Sequence, residues 1–268
     1  MGKPYDPTGK VVVITGAAGG IGSALASRFA NAGCKLALMD IAEGPLAQLA
    51  EYLSHDGTEV FTRVNDVTDE ADCKAAVADV VARFGAIDVL INNAGRTHLS
   101  FFAETEVRVL RQIMEINHFG AVHWTHHALH PLEKNGGAVV AISSIAGVGP
   151  LAGRCGYSAS KHAMYGFFES IRGELKPLGI RVMSVCPMFV TNTGIGASAF
   201  SGTGGVVTKD RTQTGKTITP DMLADDIFHG LVRGKDRLFP TSTARLAFVL
   251  SRVAPKFYEK KMLKNLVG

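Results

Sequence analysis

Tyr157 and Lys161 stand four residues apart in the stretch YSASK, joined only by small residues. On a helix, positions i and i+4 share a face, so the phenol and the ammonium can address one place. A free tyrosine ionises near pH ~10 and is a poor base in neutral water. Bringing it close to neutral takes ~4 kcal/mol of differential stabilisation. One exposed lysine contributes ~1 kcal/mol or less. The pair can therefore move protons only if the lysine is partly buried and a second positive group stands by. Without both, the same spacing describes two bystanders on a surface helix.

A source for the second charge lies near the N-terminus. TGAAGGIG (15–22) follows the apolar run KVVVITG (10–16) and opens an amphipathic stretch. Glycines let the backbone turn sharply and approach a ligand, and a helix N-terminus offers free N–H groups and a positive dipole end. That combination suits a pyrophosphate. Asp40 ends the second apolar run, 24 residues after Gly16, where a carboxylate can accept bonds from both ribose hydroxyls of an adenosine. The same carboxylate repels a 2′-phosphate, and no Arg or Lys stands at Ala17, Ala18 or Ile41 to offset it. The expected cofactor is NAD rather than NADP. Its oxidised nicotinamide carries the positive charge that the tyrosine lacks.

These groups need a frame that brings them together. Apolar runs at 10–16, 35–40, 59–64, 87–93, 138–144 and 180–187 read as strands, continuously apolar as a sheet buried on both faces requires. Stretches at 20–32, 43–54, 69–84, 104–130 and 157–176 read as the helices between them. The alternation predicts one α/β domain over 1–268, a Rossmann-type doubly wound parallel sheet of about seven strands with helices on both faces. Sites in such sheets form at the carboxyl ends of the strands. Ser143 and Ser144 end the fifth strand, and only one of two adjacent strand residues can face the cleft. Asn117 lies in the helix before it, and NNAG (92–95) ends the fourth strand.

Composition narrows the class. The 268 residues suffice to bury a full core, and a net charge of +4, scattered along the chain, gives no footprint for nucleic acid. The four cysteines form no CxxC pair and no disulfide framework, which points to a reducing cytoplasm. The polar start MGKPYDPTGK lacks the apolar core of a signal peptide, and no apolar run reaches the ~20 residues of a membrane span.

Together TGAAGGIG, NNAG, Asn117, a serine and YSASK resemble the short-chain dehydrogenase/reductase family, in order and spacing, over about residues 8–240. The stretch 158–175 is most similar to its hydroxysteroid-dehydrogenase-like branch. That family's catalytic serine stands thirteen residues before the tyrosine, which selects Ser144 over Ser143. The resemblance implies a catalytic set of Asn117, Ser144, Tyr157 and Lys161. Tyr157 is then the general acid/base, and Ser144 hydrogen-bonds the substrate oxygen. Lys161 lowers the tyrosine pKa and binds the nicotinamide ribose, while Asn117 holds a water in a proton relay. Gly16, Gly20, Ile21 and Gly22 cradle the cofactor, Asp40 takes the adenosine ribose, and Asp66 and Val67 meet the adenine. Asn93, Ala94 and Gly95 line it. One segment departs from the pattern: where the family often has PGxVxT, this chain has PMFVTNT (187–193). Met188 replaces the glycine and Asn192 the threonine. Pro187, Val190 and Thr191 carry over as cofactor contacts, with Thr193 as the alternative to Thr191.

Other stretches admit less. His123 with His127, and His126 with His130, are i,i+4 pairs, but no carboxylate neighbour completes a set such as HExxH, so no metal is expected. By the resemblance, their helix packs on its twin in a homodimer or homotetramer. The Gly/Ser/Thr-rich stretch 194–217 reads as a mobile loop over the site. The extension 241–268 carries an apolar stripe at Leu246, Val249, Leu250 and Val253 beside Arg245 and Arg252. It fits a membrane surface, a subunit interface or the pocket mouth. Met188, Phe189, Ile195 and Phe200 suit an apolar secondary alcohol, such as a steroid or lipid. The competing functions are reduction of 3-oxoacyl thioesters, disfavoured by Asp40, and a non-catalytic NAD-binding scaffold, disfavoured by four intact catalytic positions.

Overall fold

Val11, Val12, Val13 and Ile14 are β-branched and wholly apolar, and they form a central strand, β1 (Val11–Thr15). The structure, a computed structural model, describes residues 5–207 and 217–264, with side chains to 260. Parts of the 194–217 loop and of the C-terminal extension, at 208–216 and 265–268, lie outside the described residues. From β1 the chain runs through α1 (Gly20–Ala30), β2 (Lys35–Asp40), α2 (Glu43–His55), β3 (Val60–Val64), α3 (Glu70–Phe84) and β4 (Val89–Asn92). It continues through α4 (Val107–Met114), α5 (Gly120–Asn135), β5 (Ala138–Ile142), α6 (Cys155–Leu175) and β6 (Arg181–Val185). Last come the short pair β7 (Phe189–Val190) and β8 (Thr217–Ile218), then α7 (Pro220–Val232), β9 (Arg237–Leu238), α8 (Ser242–Val253) and α9 (Pro255–Lys264).

Seven strands make one parallel sheet in the order β3-β2-β1-β4-β5-β6-β9. The chain winds outward from β1 to β3, then returns to place β4 on the other side of β1. That reversal leaves a crevice above the carboxyl ends of β1 and β4. Successive residues of β1 feed opposite cores. Val12 and Ile14 pack in the layer with α1 and α7, while Val11 and Val13 pack in the layer that holds Trp124 and Phe168. This two-sided burial is why the strands read as unbroken apolar runs.

Two expectations are refined. The helix expected over 104–130 is broken: α4 passes into a π-helical turn, Glu115–Phe119, before α5. A π-turn inserts an extra residue into each hydrogen-bonded ring, which apolar periodicity does not reveal. Asn117 sits in that turn, fully buried. α5 also runs past Pro131 to Asn135 and ends at Gly136, in the left-handed region with φ 60°. The other refinement is β9, which has two residues and was too short to read as a strand. In the C-terminal extension, Ala244 and Ala247 are buried against the body. The stripe of Leu246, Val249 and Val253 faces outward, with Val253 78 % exposed.

Candidate active site

A single cavity of about 1060 Å³ runs along the carboxyl ends of the strands, from Asp40 to Tyr157. At one end the loop after β1 meets α1. Its N-cap is Gly19, no side chain caps it, and the first turn holds no acidic residue. The Gly20 N–H donates to the Thr193 carbonyl at 3.3 Å, and the remaining first-turn N–H groups with the positive dipole end face the cavity, as an anionic diphosphate requires. Three glycines are fixed by close backbone contacts. Gly16 has φ 63°, and a Cβ there would lie 2.7 Å from Ala94 Cα. A Cβ on Gly20 would strike the Asn192 carbonyl, and one on Gly22 the Gly16 carbonyl. Gly22→Ala is expected to cost about 1–3 kcal/mol of stability through overpacking, read as a lowered melting temperature.

Asp40 ends β2 and is held by two backbone donors. The Ala18 N–H donates to Oδ2 and the Ala42 N–H to Oδ1, each at 2.9 Å. The carboxylate is thereby fixed beside the glycine loop. Ile41 and Ala42 line the same end of the cavity and carry no charge. Asp66 closes a turn by accepting from Thr68 N and Oγ1, and both Asp66 and Val67 reach the cavity wall. Asn93 Nδ2 donates to the carbonyls of Thr15 and Gly16, tying the NNAG loop to the glycine loop. Glycine loop, fixed carboxylate and lining backbone together fit an adenosine dinucleotide.

The catalytic end is built by α6 and the loop after β5. Ser143 Oγ donates to the Lys161 carbonyl at 3.0 Å, and Ser158 Oγ to the Ala146 carbonyl at 2.8 Å. Of the small residues between Tyr157 and Lys161, Ser158 thus fastens the helix to that loop, Ser160 accepts from Asn117 Nδ2, and Ala159 points outward. Ser144 Oγ accepts from Ala146 N at 3.1 Å, and its side chain stands near enough to the Tyr157 phenol to favour the phenolate. Lys161 is 3 % exposed, and its Nζ donates to the Ile142 carbonyl at 2.8 Å. Burial pushes its pKa down to about 8. Tyr157 is raised above the ordinary tyrosine value by burial, against opposing pulls from the Ser144 hydroxyl and the Arg154 charge.

The four expected catalytic residues stand together, but two hold unexpected contacts. The groups that lower Tyr157 are Ser144 and Arg154, while Lys161 Nζ lies 6.0 Å from the ring centroid. Asn117 has both side-chain hydrogens committed, to the Arg96 carbonyl and to Ser160 Oγ, each at 2.8 Å. Its Oδ1 accepts from Arg96 N at 2.7 Å. The side chain thus clamps the NNAG loop to α6 through the π-turn.

In the 187–193 segment, Pro187, Met188, Phe189 and Val190 line the cavity. Thr191 does not. Its N–H and Oγ1 both bond the Ile218 carbonyl of β8. Asn192 adopts φ 54°, and this left-handed residue turns Thr193 to the cavity instead. Of the two threonines, Thr193 rather than Thr191 stands at the cavity.

His98 and Arg154 were not legible as site residues. Fully buried, His98 accepts the Gly156 N–H on Nε2 at 2.9 Å. Its proton then lies on Nδ1, facing Ser100 Oγ at 3.1 Å. Burial, with the Arg154 charge, keeps it below the ordinary histidine value. A neutral His98 thus anchors the first turn of α6, one residue before Tyr157. No local motif marks a lone histidine in a loop for that task.

The histidine helix packs within the chain: His123 meets the Val67 carbonyl at 3.1 Å, and His127 meets Glu70 of α3 at 3.2 Å. Among the described residues, no group of three His, Cys, Asp or Glu could hold a metal ion, and no helix is long and apolar enough to cross a membrane.

A doubly wound sheet with a dinucleotide cradle and an adjoining Ser–Tyr–Lys cluster defines a nicotinamide-dependent oxidoreductase class. Residues 10–203 match the family described as short chain dehydrogenase, and the chain belongs to the short-chain dehydrogenase/reductase family. Its relatives place it in the hydroxysteroid-dehydrogenase-like branch. It is 33 % identical to an Arabidopsis thaliana protein named 11-beta-hydroxysteroid dehydrogenase-like 2, over 94 % of this chain and 80 % of that one. It is 34 % identical to mouse dehydrogenase/reductase SDR family member 7B, over 94 % and 80 %. Among solved structures, a Burkholderia phymatum short-chain dehydrogenase/reductase in complex with NAD superposes with TM-score 0.84 at 24 % identity, covering 94 % of this chain and 96 % of that one. An alcohol dehydrogenase from Thermococcus sibiricus complexed with 5-hydroxy-NADP superposes with TM-score 0.73 at 25 % identity, covering 86 % and 95 %.

Proposed function

We propose that this oxidoreductase interconverts an apolar secondary alcohol and its ketone, steroid- or lipid-like, with NAD as the preferred cofactor. The observation that carries the reading is the continuity of one cavity from Asp40, past the glycine loop, to Ser144 and Tyr157. The nicotinamide, when bound, supplies the acceptor or donor of hydride. Gly16, Gly20, Ile21 and Gly22 hold the diphosphate, Asp40 the adenosine ribose, and Asp66 and Val67 the adenine. Asn93, Ala94, Gly95, Pro187, Val190 and Thr193 line the rest.

Ser144 Oγ positions the substrate oxygen against Tyr157. In oxidation Tyr157 Oη takes the carbinol proton, and in reduction it returns one. Lys161, nearly fully buried and fixed by the Ile142 carbonyl, presents its ammonium to the nicotinamide ribose and to the proton path. Asn117 serves that path by holding the loop at Arg96 and the helix at Ser160 in register. A relay water beside it completes the path in this reading. Met188, Phe189, Ile195 and Phe200 give the cavity its apolar wall. The names of the hydroxysteroid-dehydrogenase-like relatives support the same substrate class.

The fixed Asp40 carboxylate supports NAD, because a 2′-phosphate beside it suffers like-charge repulsion. Initial rates with an apolar secondary alcohol are expected to favour NAD over NADP by at least tenfold in kcat/KM, equivalent to about 1.4 kcal/mol. Asp40→Ala should narrow that ratio, and equal wild-type rates would refute the assignment. A panel of apolar and polar secondary alcohols, read by NADH absorbance, tests the substrate. Turnover of small polar diols or sugars with no apolar alcohol would overturn that part. We place the enzyme in the cytoplasm as a homodimer or homotetramer, an assembly that sedimentation would measure.

A further inference from the structure

Among the described residues 217–264, Tyr258 alone lines the cavity. It comes from α9, and its side chain is buried, at 8 % exposure. The helix pair is fastened to the loop that carries Ser144: Ser251 Oγ of α8 donates to the Val148 carbonyl at 3.0 Å. The next loop residue is Gly149. A Cβ there would lie 2.8 Å from Tyr258 Oη and 2.9 Å from the ring carbon that bears it. The loop thus has no side chain at the point where the phenol enters.

The hydroxyl itself is unspent. No group among the described residues takes or gives it a hydrogen bond. Nor is it one of the buried polar atoms sealed off without a partner, so the oxygen keeps some accessible surface, on a residue that lines the cavity. Burial keeps the phenol neutral, and hence a donor, at working pH. A nearly buried hydroxyl with no protein partner is unfavourable unless a ligand or water completes it.

We propose that Tyr258 is a specificity-determining residue that donates a hydrogen bond to a second oxygen of the substrate, distinct from the one held by Ser144 and Tyr157. The inference rests on the apolar-alcohol reading above and deepens it. The favoured substrate is an extended apolar alcohol or ketone with a further carbonyl or hydroxyl oxygen. Such an oxygen would also explain why an apolar cavity receives a phenol from a separate helix rather than another aliphatic side chain.

The test compares matched pairs of apolar secondary alcohols, namely hydroxysteroids and long-chain alkanols, each with and without a second keto group. In the pair that fits, wild-type protein with NAD is expected to prefer the keto member by about tenfold in kcat/KM, the worth of one good hydrogen bond. In Tyr258→Phe that ratio should fall towards one. Gly149→Ala, whose methyl displaces the phenol without touching its chemistry, should lower the same ratio. The double variant should lower it no further, because the two changes act through one contact. A ratio within a pair cancels any general loss of activity, so a merely structural Tyr258 would leave it unmoved. An unchanged ratio in Tyr258→Phe, or no keto preference in any pair, overturns the proposal. Turnover of the keto-free members upholds the apolar-alcohol reading independently, and no turnover of any pair defeats both.

Discussion

Tyr157→Phe is expected to lower kcat/KM for alcohol oxidation by about 10³-fold or more, within or above the usual worth of a positioned acid/base. The affinity for NAD should change less than threefold. Phenylalanine keeps the ring against the helix and removes only Oη, so the cradle around Gly16 and Asp40 is untouched. What is lost is the phenol oxygen that faces Ser144. The phenol's raised pKa adds a signature. Burial outweighs Ser144 and Arg154, so the free protein holds Tyr157 protonated through neutral pH. Ketone reduction, which needs that proton, should be sustained at neutral pH. Oxidation, which needs the phenolate, should climb into the alkaline range. Stopped-flow rates in both directions across pH would show the divergence. A variant with near-native turnover, or parallel pH profiles in the two directions, would remove Tyr157 from the assigned role.

How far the sequence carried the structure depended on the kind of signal. Continuous apolar runs located six strands, because burial on both faces leaves no polar residue in β5 and only one, at the carboxyl end, in β1 (Thr15) and β4 (Asn92). Short edge elements lack that signal: β9 contributes only Arg237 and Leu238, and one of them is exposed. The cradle was legible because its requirement is local. Gly16, Gly20 and Gly22 each avoid a backbone clash, and Asp40 follows a strand at fixed spacing. Helical spacing put Lys161 on the face of Tyr157, and the family resemblance assigned it the lowering of the tyrosine pKa. Spacing sets the face of a helix but not what a long side chain bonds, and Lys161 bonds the Ile142 carbonyl. His98 and Tyr258 act across long sequence separations. His98 reaches Gly156, and Tyr258 reaches Gly149, so no window of sequence holds both partners. Thr191 and Thr193 differed by the left-handed turn at Asn192, a conformation that residue type permits but does not dictate.

Lys161→Met is expected to abolish turnover while making the cofactor-free protein more stable at neutral pH. Burial lowers the lysine from 10.5 to about 8. Its folded pKa is therefore below its unfolded one, and between about 8 and 10.5 the unfolded chain binds more protons than the native one. Stability contributed by this group consequently rises with pH across that window. Below it, the native state bears the full cost of a buried ammonium, ~3 kcal/mol at most. Methionine removes that cost at similar length but leaves the Ile142 carbonyl without its donor, a loss of about 1–2 kcal/mol. The balance is a gain of ~1–2 kcal/mol at pH 7, or a melting temperature higher by several degrees for a domain of this size. The gain should shrink and reverse towards pH ~10.5, where Lys161 is neutral in the native state and half neutral in the unfolded one. Thermal melts of wild type and variant at neutral and alkaline pH, without cofactor, decide the matter. A variant less stable than wild type at neutral pH would mean that the ammonium is already compensated by its surroundings. The expected pattern would instead identify Lys161 as a residue kept for chemistry at the expense of the fold, with burial beside Met164 and Ile142 supplying both its fixed position and its instability.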